Sequence, residues 1–296
     1  MHCRRLIDSP IVSPGTPGWD KHAVGHNING PSLIGVPDWV DQPLGRYYLY
    51  FAHHHGKSIR LAVADALTGP WWIHTPGTLR LEQTPFTHHI ASPDVHPHPD
   101  GSGRLAMIYH GHGGVTPAPD VEQPAAVAVS DDGVHWTHES VLPVESYLRA
   151  FHVAGRTLGV AKGGRLAEAP AGTFEFVSIN RRLDISGRHW AVLVDGDRLH
   201  AAYSRWGDAP EHLVHMAFDS ADQLDAWNRS PRTALLTPDR PWEGGDLPIH
   251  PSRAGTAHHP VRELRDPAFF RDADGRAYLV YSTAGEAGLG IAALII

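Results

Sequence analysis

Residues able to do chemistry fall in five separated places along this chain. Asn29 stands in the first, with His53, His54 and His55 a short way on. The second holds His88, His89, Asp94 and His96, followed by His110 and His112. Glu145 and Arg149 are four residues apart in the third, with Lys162 beyond them. Arg188 and His189 mark the fourth, followed by Trp206, and Arg265 adjoins Asp266 in the fifth. Carboxylates such as Asp94, Asp266, Glu145 and Glu243 are suited to acid/base work. Arginines 149, 188 and 265, with Asn29 and the imidazoles of His53, His54, His89, His96 and His189, suit hydrogen bonding to hydroxyls or a carboxylate. Trp206 and Trp242 offer indole faces. Together these groups predict a polar ligand such as a sugar or sugar acid.

The five places become one site only if the fold brings them together. Five glycine-launched alternating strands indicate how: Gly45–Phe51, Gly103–Tyr109, Gly155–Ala161, Gly196–Tyr203 and Gly275–Tyr281. Each follows a short apolar segment, near 31–36, 92–96, 147–151, 189–194 and 267–270. Asp-Gly turns at Gly101, Gly196 and Gly275 suit tight hairpins. A third strand follows in most copies, at 59–64, 125–129, 212–217 and 289–294, with 173–177 as a fainter one. Ser220–Trp227 reads as a short helix. An irregular repeat of one β unit is the signature of a propeller, so the expected fold is all-β: a five-bladed β-propeller occupying residues 1–296 as a single domain. First strands would line the channel, and the segments entering them would share one face with the loops between second and third strands. Long insertions at 13–30 and 237–266 are expected to be rim or lid loops.

Composition excludes several classes. A net charge of −7 lacks the basic footprint of a nucleic-acid binder. No apolar run approaches the roughly 20 residues of a spanning helix, and the start lacks a signal-peptide core, so a cytoplasmic location with no membrane partner is expected. Cys3, the only cysteine, excludes an intrachain disulfide and a cysteine-based zinc site. The 23 histidines leave a divalent metal in the channel open, with His53, His54, His89, His96 and His110 as its ligands, although no cofactor is required by the carboxylate reading.

The chain resembles the five-bladed propellers of glycoside hydrolase families 43 and 32. Ala91-Ser-Pro-Asp-Val95 is similar to the segment holding the auxiliary aspartate of family 43, and Arg265-Asp-Pro267 matches an Arg-Asp-Pro pattern of the group. His189 stands where many members place a channel histidine. The resemblance implies a glycosidase acting on a small carbohydrate, with Glu145 as a positional match to the family's general acid; in the carboxylate reading Asp94 and Asp266 are channel carboxylates and Glu145 or Glu243 is the proton donor. It departs from the family where the general-base aspartate is expected, because Asn29-Gly-Pro31 carries Gly30 there. A histidine- or metal-dependent lyase or isomerase acting on a sugar acid, and a non-catalytic sugar-binding propeller, are the alternatives.

Overall fold

In the computed structural model, the described residues are 1–20, 26–75, 77–222, 224–227 and 230–296, with the side chain of residue 225 left aside. Among the described residues, twenty strands form five four-stranded antiparallel sheets. Blade one holds β2 (Asn29–Gly35), β3 (Tyr47–Ala52), β4 (Arg60–Ala64) and β5 (Trp72–His74). Blade two holds β6 (His89–Pro97), β7 (Leu105–His112), β8 (Pro124–Ser130) and β9 (Thr137–Glu145). Blade three is β10 (Arg149–Val153), β11 (Arg156–Ala161), β12 (Arg165–Ala169) and β13 (Val177–Arg182). Blade four is β14 (Gly187–Asp195), β15 (Arg198–Arg205), β16 (Leu213–Asp219) and β17 (Thr233–Leu236). Blade five is β18 (Arg265–Arg271), β19 (Ala277–Thr283), β20 (Gly288–Ile295) and, as its outer strand, β1 (His2–Arg5).

The first and last strands of the chain therefore pair in one sheet, from His2 opposite Ile295 to Arg5 opposite Ala292. That pairing closes the ring. Five apolar cores fill the five gaps between neighbouring blades. Leu33 and Leu49 meet Val280 and Leu289 across blades one and five. Tyr50 and Leu61 meet Met107 across blades one and two. Ile108 and Val127 face Phe176, Val160 faces Trp190, and Leu213 faces Tyr281 at the other three. Strands buried on both faces read as continuous apolar runs, which is why Tyr47–Ala52 is buried throughout.

Two expectations are corrected. The third strand of blade three is β12, and Thr173–Phe176 is instead a turn that drops Phe174 and Phe176 into the core against blade two. Arg-Leu-Ala-Glu-Ala has little β-branched or aromatic content, so its strand is imposed by pairing with β11. The helix α1 covers only Leu224–Trp227, where Trp227 stacks on Phe218. Residue 223 of the expected helix and residues 21–25 of the expected rim loop lie outside the described residues. Among the described residues no helix is long and apolar enough to cross a membrane.

Candidate active site at the channel mouth

Four of the five inner strands bulge just inside the channel. Their register slips between Asn29 and Ser32, Ala91 and Asp94, Gly187 and Trp190, and Arg265 and Ala268. Gly30, Ser92, Tyr147 and Asp266 take left-handed φ angles of 56°, 53°, 58° and 49°. Three of these are not glycine, and such backbone persists only where surrounding structure enforces it. A bulge re-aims its side chain, here into the channel.

With His189 from the bulge of β14, these residues form a ring across the channel. Gly30 N donates to Asp266 Oδ2 at 3.4 Å, and Ser282 Oγ donates to the same oxygen at 2.9 Å. Asp266 Oδ1 lies against His189 Nδ1. The imidazole of His189 stacks on the Tyr147 ring at 3.7 Å and 18°. Ser92 completes the ring beside Gly30, where its backbone and hydroxyl crowd the space a side chain at position 30 would need. Burial opposes ionisation of Asp266, but His189, Arg188 and Arg265 outweigh it and hold the carboxyl below its ordinary range. Burial also lowers the His189 imidazole to about 4, against the pull of Asp266.

On the side where the inner strands begin, a cavity of about 90 Å³ opens above this ring. Asn29, His54, His89, His110, Lys162, Arg188, His189 and Trp206 are among the residues that line it. Asn29 Oδ1, His110 Nδ1 and Trp206 Nε1 are buried there without a hydrogen-bond partner among the described residues. One wall is a run of imidazoles. His54 meets His55, which meets His89, and His89 touches both His110 and His112, with ring centres 5.1 to 5.9 Å apart. Burial, and then the neighbouring imidazoles, lowers His89 to about 4 and holds His110 well below its ordinary value as well.

Behind the opposite wall, Arg265 sits among carboxylates. Its guanidinium contacts Glu263, Glu286 at 3.1 Å and Glu211 at 3.4 Å. Arg188 reaches Glu211 at 3.2 Å and donates to the backbone carbonyls of Arg253 and Gly255. Thr256 Oγ1 lies 3.3 Å from His55 Nε2. Part of the expected 237–266 loop is thus pinned across the mouth. Glu211 is fully buried, and burial raises its carboxyl to about 6 despite the two arginines. Glu286 is pushed below the usual range, because His54 and Arg265 together with its hydrogen bonding overcome burial. Neither Glu211 nor Glu263 stood out in the sequence. Glu211 follows Pro210 in the loop between the second and third strands of blade four, the loop class expected at the mouth.

Several expected site residues lie elsewhere. Asp94 is two residues past the bulge at Ser92, so the strand carries it down the channel. With His96 and Arg149 it lines a separate cavity of about 910 Å³ at the opposite end. Asp94 accepts from Ala150 N at 2.8 Å and from Arg149 at 3.2 Å, and His96 Nε2 is 2.8 Å away. Glu243 is buried against Arg5 and accepts from Tyr281 Oη at 2.9 Å, tying β1 into the ring, while Trp242 donates to Asp8. His53 accepts from the backbone N of His55 within its own turn. Glu145 ends β9 beside Ser146, which lines the mouth, and burial raises its carboxyl with Lys162 opposing.

The five histidines expected to hold a metal are therefore divided, His53 in a turn and His96 at the far end. Among the described residues no three His, Cys, Asp or Glu side chains come together to hold an ion. His54, His89 and His110 belong to the wall of mutually packed rings rather than to a set of converging nitrogens.

No protein-family model matches the chain. An uncharacterized protein, R118, of Acanthamoeba polyphaga mimivirus is 31% identical over 302 aligned residues, spanning 90% of this chain and 83% of the viral one. The chain belongs to the family of that viral protein. Among solved structures, a family-43 β-xylosidase/α-arabinofuranosidase from a compost microbial metagenome, in complex with xylotriose, matches with TM-score 0.62 at 11% identity, over 99% of this chain and 95% of its own. A family-43 enzyme of Xanthomonas citri, also complexed with xylotriose, has TM-score 0.59 at 13% identity, over 98% and 90%. The catalytic domain of a family-62 α-L-arabinofuranosidase of Coprinopsis cinerea has TM-score 0.59 at 13% identity, over 99% and 97%. At these identities the likeness is one of fold. The five-bladed propeller expected from the repeat and from the family-43 resemblance is the fold of this chain.

Proposed function

We propose that this protein is a glycosidase that binds the end of a small glycoside in the channel mouth. The observation that carries the reading is one polar cavity walled by Asn29, His110 and Trp206, each of which holds a buried polar atom without a partner among the described residues. A buried polar atom left unpaired costs roughly 1–3 kcal/mol, which sugar hydroxyls arranged around a ring could offset at several points together. Trp206 adds an indole to pack on the sugar. The ring of bulge residues ends the cavity on the channel side, so a chain end suits it better than the middle of a polymer. Its volume is below the roughly 300 Å³ usual for ligand sites, so binding displaces part of the 253–256 segment.

Glycoside hydrolysis needs a carboxylic acid that keeps its proton until the leaving oxygen takes it. Burial shifts the Glu145 carboxyl in that direction, beside the mouth-lining Ser146. The likeness of fold to enzymes described as xylosidases and arabinofuranosidases supports pentosides as the first substrates to try. A panel of aryl pentosides and hexosides, followed by crystal soaks with the sugars released, tests the reading. Hydrolysis of one glycoside with its sugar seated against Trp206 is expected. No turnover across the panel, together with an empty mouth in every soak, would overturn it.

A further inference from the structure

Among the described residues that line the mouth there is no carboxylate, yet they include a histidine already oriented by an aspartate. Asp266 is fully buried and fixed from three sides: by Ser282 Oγ, by Gly30 N and by its contact with His189 Nδ1. Neither Asp266 Oδ1 nor His189 Nδ1 has another partner among the described residues, so each is committed to the other. The imidazole plane is set by the stack on Tyr147. Nε2, on the opposite edge of the ring, carries no hydrogen bond to a described residue and is not among the fully enclosed polar atoms. It is therefore the ring nitrogen left open to the cavity that His189 lines.

We propose that His189, held in its Nδ1–H form by Asp266, is the general base of the mouth and replaces the side chain that Gly30 lacks. Asp266 is its positioning residue, as an aspartate orients an imidazole in a hydrolytic triad. The inference rests on the glycosidase reading for its reaction. Nε2 takes one proton from a water whose oxygen bonds to the anomeric carbon, while the glycosidic carbon–oxygen bond breaks and the departing oxygen takes the proton of Glu145. His189 leaves the step as imidazolium beside the Asp266 carboxylate, and Glu145 leaves it as carboxylate. Returning the proton from one to the other through solvent restores the site. Arg188, Lys162, His110 and Tyr147 also face this imidazole, and the two cations oppose its protonation before substrate arrives.

The test combines kinetics with a measurement that needs no substrate. His189→Gln should lower kcat by about 10²–10⁴-fold with KM little changed. Asp266→Asn should lower kcat strongly as well, and the double variant should be no worse than His189→Gln alone. Nitrogen-15 NMR of the free protein should show His189 protonated at Nδ1 with Nε2 bare, and Asp266→Asn should abolish that preference. Should Asp266→Asn fail to fold, Asp266→Glu takes its place, with a shifted tautomer balance and reduced kcat expected. A wild type that hydrolyses glycosides while His189→Gln keeps kcat within threefold overturns the inference and leaves the glycosidase reading standing. A wild type that hydrolyses none, yet shows the Nδ1–H tautomer, removes the glycosidase reading and keeps His189 as an oriented base. The Nε2–H tautomer in the wild type overturns the inference whatever the activity.

Discussion

Gly30 and Ser92 approach so closely across blades one and two that a Cβ on residue 30 would lie 3.0 Å from Ser92 Cα. Residue 30 also takes φ 56°, where an ordinary L-residue is strained. The glycine at this position is thus demanded by its surroundings, and the neighbouring blade has closed over the space an aspartate would need. Gly30→Asp is accordingly expected to destabilise the protein by about 1–3 kcal/mol and not to raise activity. Thermal melting and kcat of the purified variant check this. A Gly30→Asp protein that gains activity at unchanged Tm would show that the blades part readily.

Imidazoles lowered by burial make stability depend on pH. His53, His89 and His189 are lowered to about 4 from 6.5, and His110 is also lowered well below its ordinary value, chiefly by burial. Between those values the unfolded chain binds protons that the folded one refuses. Stability must then rise with pH across the window from about 4 to 6.5 and be lost on acidification through it. Glu211 works the other way: its folded value of about 6 lies above 4.5, so its contribution is lost as pH rises through about 6. Glu145, also raised by burial, acts in the same sense, and four histidines against these two glutamates leave the net trend with the imidazoles. Tm should therefore fall clearly from pH 7 to pH 4.5, and His110→Phe should make that fall shallower.

Much of this was legible in the sequence because the propeller repeats. Glycine-launched strands gave the blade count, and the segments entering first strands gave Asn29, Arg188, His189, Arg265 and Asp266 their places near the mouth. Depth along the strand was not legible. Whether a residue lies at the bulge or two past it separates Ser92 from Asp94, and no local signal in Ala91-Ser-Pro-Asp-Val95 places the bulge. Glu243 was misplaced for a different reason. Its loop precedes an inner strand, but its partners Arg5 and Tyr281 belong to the closure of the ring, a pairing between chain ends that local pattern cannot show.

These relocations make a prediction of their own. Glu243 holds the closing strand β1 through a buried ion pair with Arg5, so Glu243→Ala leaves that arginine without its main partner. Breaking a buried pair from one side costs about 3–5 kcal/mol, reduced here because Arg5 also reaches Asp239. Tm should drop by several degrees while kcat, measured on the folded fraction, stays at the wild-type level. Loss of kcat without loss of Tm would return Glu243 to the site.

Glu145 differs from the other expected carboxylates in keeping both a place beside the mouth and a raised carboxyl. If it donates the proton, its removal matters in proportion to how much the leaving oxygen needs one. A poor alkoxide leaving group requires protonation as its bond breaks, whereas a nitrophenolate departs nearly unaided. Glu145→Gln should therefore lower kcat/KM by about 10²-fold or more on an alkyl glycoside or disaccharide, and far less on the nitrophenyl glycoside of the same sugar. The alkaline limb of the wild-type pH profile should vanish with it, since that limb reports loss of the donor's proton. Equal losses on both leaving groups would mean that Glu145 positions substrate, and would move the donor's role to another group at the mouth.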